Sequence, residues 1–370
     1  IWPTKNAWSG QWEKEFARWL REEVDAQFFV KYNVATDCAD VAVSLRWIFS
    51  RINGLPTLNR LANGNFLNNE SSRAELSQLP THANRWEDRR FRRALDFMLD
   101  FSFTHTLFRD SYPVEVQPHS FSAGIFHLNL GDVSGHTQVV HRTDFASQDG
   151  IPFLVLASTV PREVRVLWES ILGDAGQPTP VTGGFLRHLR AVKEANGTYR
   201  HVPARQMPDY STEQYDPSYM VKESFLVSTF LRLNPQFSIL AMFRRFVSES
   251  VDYVKARIKV VEDGFVACQT LDCRPGTAAW EDWSTPSRDA RIQGNFAKIY
   301  DFYGYAVQDD AVLASEIFEQ QMATPVAEFD GIPFTFRQVR YIWDNHMYSS
   351  DPEAPVSNRW GLLPEAFLQN

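Results

Sequence analysis

Residues 35–56 read ATDCADVAVSLRWIFSRINGLP, and the position of the one cysteine among them governs how the N-terminal half is interpreted. Asp37 or Thr36 is a good N-cap, because a short polar side chain can accept from the first free backbone N–H groups of a helix. Asp40 follows three residues after Asp37, a relative of the capping box. The helix is therefore expected to begin at or next to Cys38. Val41, Leu45, Ile48 and Ile52 recur at helical spacing and Cys38 falls on the same stripe, so its sulfur is expected to face the body of the protein. A helix start favours a thiolate, whereas Asp37 and Asp40 oppose one. Cys38 is then either a small buried hydrophobe or a nucleophile that depends on a histidine.

Of the nine histidines, His136 has the right setting. AGIFHLNL (123–130) alternates with Phe126, Leu128 and Leu130 on one side, the two-residue period of a half-buried strand. GHTQVVHR (135–142) and IPFLVLAST (151–159) are two further strand-like runs, joined by TDFASQDG with its Asp149-Gly150 turn signal. His136 opens the second run, so it is expected at a strand end. A hairpin centred near Ser147 sets Ser158 opposite His136, with Ala157 and Thr159 within one residue of register. Residues facing each other across a pair share a side of the sheet. Ser158 is thus a candidate third residue to orient the imidazole, with Asp144 and Asp149 as acidic alternatives; Ser158 and Thr159 also read as caps of a following helix.

Helices come first and an antiparallel sheet second, which predicts an α+β fold. SGQWEKEFARWLREEV (9–24) carries Trp12, Phe16 and Leu20 on one stripe, and EDRRFRRALDFMLDF (87–101) carries Phe91, Leu95 and Met98. Residues 173–222, rich in Gly, Pro and Tyr, read as a long connection. Beyond them the pattern is helical almost to the end. Two domains are expected, an α+β unit over 1–210 and a mostly helical one over 211–370 that offers a surface for a protein partner.

The chain of 370 residues carries a net charge of −8, with 44% hydrophobic residues, and has no basic run long enough to follow a nucleic acid. No apolar stretch reaches the 18 residues that a membrane span needs. No HExxH is present, and His127, His136 and His141 share no carboxylate or cysteine at ligand spacing, so no metal and no cofactor is expected. Cys268 and Cys273 are spaced for a short-loop disulfide if the compartment is oxidising, which leaves Cys38 free.

DCADVAVSLRWIFSRINGLP resembles the NlpC-type cell-wall cysteine peptidases, members of the papain-like group, whose nucleophile lies in an Asp-Cys-small start of a helix. LGDVSGHTQVV is similar to that family's Gly-Asp turn followed by the strand that bears the base histidine. The resemblance covers two patches, about thirty residues. It implies a papain-like domain with Cys38 as nucleophile, His136 as base and Tyr32, in YNVATDC, near the oxyanion. The implied reaction is hydrolysis of an amide in a peptide or peptidoglycan peptide, or acyl transfer by the same residues as in transglutaminases; an inactive envelope binding protein is the alternative. Asp40 stands where the family usually has glycine, and the interval of 98 positions from Cys38 to His136 requires a helical insertion. The same resemblance implies an exported protein of the bacterial periplasm or envelope, and the first residue, Ile1, reads as the start of a processed chain.

Overall fold

The structure, a computed structural model, describes residues 1–131, 135–147, 150–159, 162–172, 176–221, 224–329 and 331–362, without the side chains of Glu281 and Ser287. The chain divides into two compact units, residues 1–237 and 238–370. The change of character expected near 210 falls later because the helix Phe225–Leu233 belongs to the first unit. Its Phe225 packs on Phe185 and its Phe230 on Phe153, both in the sheet.

The helices of the first unit are α1 (Gly10–Glu23), α2 (Phe28–Tyr32), α3 (Cys38–Asn53), α4 (Ala74–Ser77), α5 (Arg89–Asp100), α6 (Thr104–Arg109) and α7 (Phe225–Leu233). Its strands are β1 (Leu58–Arg60), β2 (Phe66–Asn68), β3 (Ser111–Pro113), β4 (Phe126–Leu130), β5 (Gly135–Thr143), β6 (Phe153–Ala157), β7 (Trp168–Ser170), β8 (Gly183–His188), β9 (Ala191–Lys193) and β10 (Tyr199–His201). Six of them form one antiparallel sheet in the order β3-β8-β4-β5-β6-β7. The unit is therefore α+β with an antiparallel sheet, as the sequence predicts.

The sheet's two faces have different cover. Phe126, Leu128, Val139, Leu156 and Leu186 join one core with Ala39, Val41, Ala42 and Leu45 of α3 and Phe16 and Leu20 of α1. The other face packs Phe153 and Phe185 against Phe121 and α7. Being enclosed by strand and helix, α3 is buried at every position from Cys38 to Ser50, so it is a central helix and not an amphipathic one; Ile52, expected on the buried stripe, is exposed.

Residues 173–222 are more than a connection. GGFLRH within them is β8, buried at all six positions and inserted between β3 and β4. Gly183 must be a glycine there: its φ is +121°, and a Cβ would lie 2.0 Å from the Leu128 carbonyl oxygen. Nor does a helix follow Ser158 and Thr159; residues 162–167 are irregular and lead to β7.

The second unit holds α8 (Ile239–Ala267), α9 (Ala278–Trp283), α10 (Pro286–Asp309), α11 (Ala311–Met322), the hairpin β11 (Pro325–Phe329) and β12 (Ile332–Thr335), α12 (Phe336–Asp344) and α13 (Val356–Arg359). It is mostly helical, and a disulfide joins Cys268 and Cys273 just beyond α8. No described helix is long and apolar enough to cross a membrane.

Candidate active site

Cys38 is the first residue of α3, and the capping box forms there. The Asp37 carboxylate accepts from the Ala39 and Asp40 N–H groups at 3.0 and 3.1 Å, and Asp40 Oδ2 accepts from the Asp37 N–H at 3.1 Å. The loop that enters the helix is held from the sheet side. Ser158 Oγ donates to the Thr36 carbonyl at 3.0 Å, and Thr36 N–H donates to the Glu163 carbonyl at 2.9 Å. The thiol is buried, 7% exposed, with Sγ 3.9 Å from the Gly135 carbonyl oxygen at the start of β5.

Electrostatics around the thiol oppose ionisation. Burial first, and then the Asp37 charge, push the Cys38 pKa up to about 11, against the backbone N–H groups of Thr137 and Ala39. Burial and the same Asp37 charge raise the Asp40 carboxyl to about 8, although Arg162 Nε lies 3.4 Å from it. Arg162 is shared with Asp96 and Asp100, so its charge is not Asp40's alone.

The pairing of β5 with β6 decides where His136 points. Val139 faces Leu156, and that register continued by two residues sets Thr137, not His136, opposite Ser158. A slip of one residue exchanges the faces of a strand. Thr137 and Val139 therefore look towards α3. His136 and Gln138 lie on the side of His127, which packs against Phe185 and Phe225. His136 is exposed and is the second residue of β5, a strand end as expected, but it stands on the face of the sheet away from Cys38. The expected alignment of His136, Ser158 and Cys38 on one face is thus corrected by the pleat.

The other expected residues have identifiable work. Ser158 fixes the backbone just before the N-cap. Tyr32 closes α2 and stacks on Trp86, ring centroids 3.9 Å apart at 11°, and its carbonyl accepts from Arg92. Asp144 accepts from the Ala146 N–H within its own turn, and Asp149 lies outside the described residues. His141 sits at the bulge between Val140 and Arg142, where its Nε2 is 2.7 Å from the Val24 carbonyl oxygen at the end of α1 and its Nδ1 is 2.6 Å from Glu169. His127, fully buried, has its pKa lowered to about 3 by burial and by the nearby His136. Among the described residues no three His, Cys, Asp or Glu gather as a metal site.

Sequence reading missed Gly135 and Thr137, which contribute the carbonyl and the N–H facing the thiol. Thr36 Oγ1, Asp40 Oδ1 and Thr137 Oγ1, buried on residues about Cys38, have no hydrogen-bond partner among the described residues. The alternation along GHTQVV was the available signal, since His136 and Val139 cannot share a face. No family model, no curated protein and no solved structure matches the chain.

Proposed function

We propose that residues 1–237 form a papain-like α+β module, related to the NlpC-type peptidases in its Cys38 helix and its GHTQVV strand, that binds a peptide or cell-wall peptide without covalent catalysis. One observation carries this reading: the side chain that β5 turns towards α3 beside Cys38 is Thr137, while His136 is on the other face. General-base activation of a thiol needs an imidazole within about 2.6–3.2 Å or one water away. A thiol buried beside Asp37, with its pKa pushed up to about 11, supports the same reading. The Cys268–Cys273 disulfide supports an oxidising compartment such as the cell envelope.

A second reading, amide hydrolysis or acyl transfer with Cys38 as nucleophile and His136 as base, is favoured by the position of the sulfur at the first turn of a capped sixteen-residue helix. Incubation of the full chain with peptidoglycan peptides separates the two. Saturable binding, unchanged in Cys38→Ser and without new products, is expected. A product that appears with the wild type and disappears with Cys38→Ser would establish the second reading instead.

A further inference from the structure

Away from the thiol, the first unit contains a cleft of about 430 Å³ between α1, the segment 115–122 and the end of β8. That is within the range of small-molecule sites. Arg46, which pairs with Glu13 of the lining, is eight residues from Cys38, about 12 Å along α3.

Each acid at the cleft is already engaged. Glu13 is 6% exposed and accepts from both Arg46 Nη atoms at 2.8 Å. Against the burial that would raise it, Arg46, then Arg187 and Arg190, hold its carboxyl down to about 2. Asp209 accepts from the Tyr112 hydroxyl at 2.8 Å and faces Arg187 Nε at 2.9 Å. Glu115 accepts from Ser120 and lies 2.9 Å from His119.

The bases are not all engaged. Lys14 and Arg21, exposed at the rim on α1, have no ion pair among the described residues. Arg190 is the informative one. Its Nε donates to Glu13 Oε1 at 3.2 Å, which fixes the guanidinium, and among the described residues its two Nη atoms have no protein acceptor. Lys14, Arg21, Arg187 and Arg190 of the lining, and Arg46 through its pair with Glu13, therefore make five cations that meet three carboxylates, in a chain whose net charge is −8.

We propose that this cleft binds a small carboxylate-bearing ligand, held by the Arg190 fork with Lys14 and Arg21 at the rim. A guanidinium anchored through Nε presents two parallel N–H donors, the geometry that matches a planar carboxylate. The excess of two positive charges suits one or two carboxylates. A phosphate dianion carries the same charge as a dicarboxylate, so the match of the flat guanidinium fork to a planar group, and not charge, favours the carboxylate. The proposal goes beyond the reading of Cys38 and stands whether or not that thiol reacts.

The test is calorimetric titration of the full chain with sodium succinate, and separately with inorganic phosphate, at matched ionic strength. Saturable succinate binding is expected, weakened about tenfold or more in Arg190→Gln. It is also expected to weaken in Lys14→Gln/Arg21→Gln, a surface pair that leaves the Glu13 cluster intact and decides the matter if Arg190→Gln does not fold. Absence of saturable succinate binding, or equal affinity in the rim variant and the wild type, overturns the site. Tighter binding of phosphate than of succinate overturns the carboxylate assignment.

Discussion

The Cys38 sulfur faces the Gly135 carbonyl oxygen at 3.9 Å, so the start of α3 meets the start of β5 through a thiol and a backbone acceptor. That meeting depends on a second close approach. A Cβ on Gly135 would lie 2.3 Å from Thr104 Oγ1, at the first turn of α6, and 2.7 Å from Thr104 Cβ.

Gly135→Ala is therefore expected to destabilise the first unit by about 1–3 kcal/mol through overpacking. Urea unfolding measures it, and Gly135→Ala/Thr104→Ala is expected to recover part of the loss, since the two residues touch. Independent, additive effects of the two substitutions would argue against this contact.

Glu13→Gln leaves Arg46, itself 5% exposed, without its charge partner. Breaking a buried pair from one side costs about 3–5 kcal/mol. Because the folded carboxyl has its pKa lowered to about 2, the unfolded chain binds more protons at low pH. The Glu13 contribution is thus present above pH about 4.5 and lost as pH falls towards 2. Thermal unfolding of wild type and Glu13→Gln is expected to differ widely at pH 7 and to converge at pH 2–3.

Asp40 has the opposite sign. Its folded pKa is raised to about 8, so between pH about 4 and 8 the folded state holds a proton that the unfolded state has released. Stability falls as pH rises through that window, by at most about 1.4 kcal/mol per pH unit. Asp40→Asn, which keeps an acceptor for the Asp37 N–H, is expected to remove this slope and to be more stable than the wild type at pH 8. An unchanged pH slope in the variant would contradict the assignment.

What was legible in the sequence followed from periodicity and end signals. Asp37 with Asp40 marks the start of α3, and the alternation of Phe126, Leu128 and Leu130 marks β4 and its core face. β8 was not legible, because GGFLRH is covered on both faces and so does not alternate, and its glycines read as turn. The face of His136 was missed for another reason. A hairpin centre fixed only to within one residue leaves the facing undecided, and the bulge at Val140/Arg142 shifts the count again. The end of the first unit was misplaced because α7 looks like the helices after it; only its packing on Phe153 and Phe185 assigns it to the sheet.

Under the proposed function, Cys38 is a structural thiol and not an activated one. Iodoacetamide labelling of the folded protein from pH 5 to 11 tests it directly, with Cys38→Ser as the blank and His136→Ala alongside. Slow labelling that rises only towards pH about 11, with the same profile in His136→Ala, is predicted. Fast labelling at pH 6 that His136→Ala abolishes would overturn the proposed function and make Cys38 and His136 a catalytic pair.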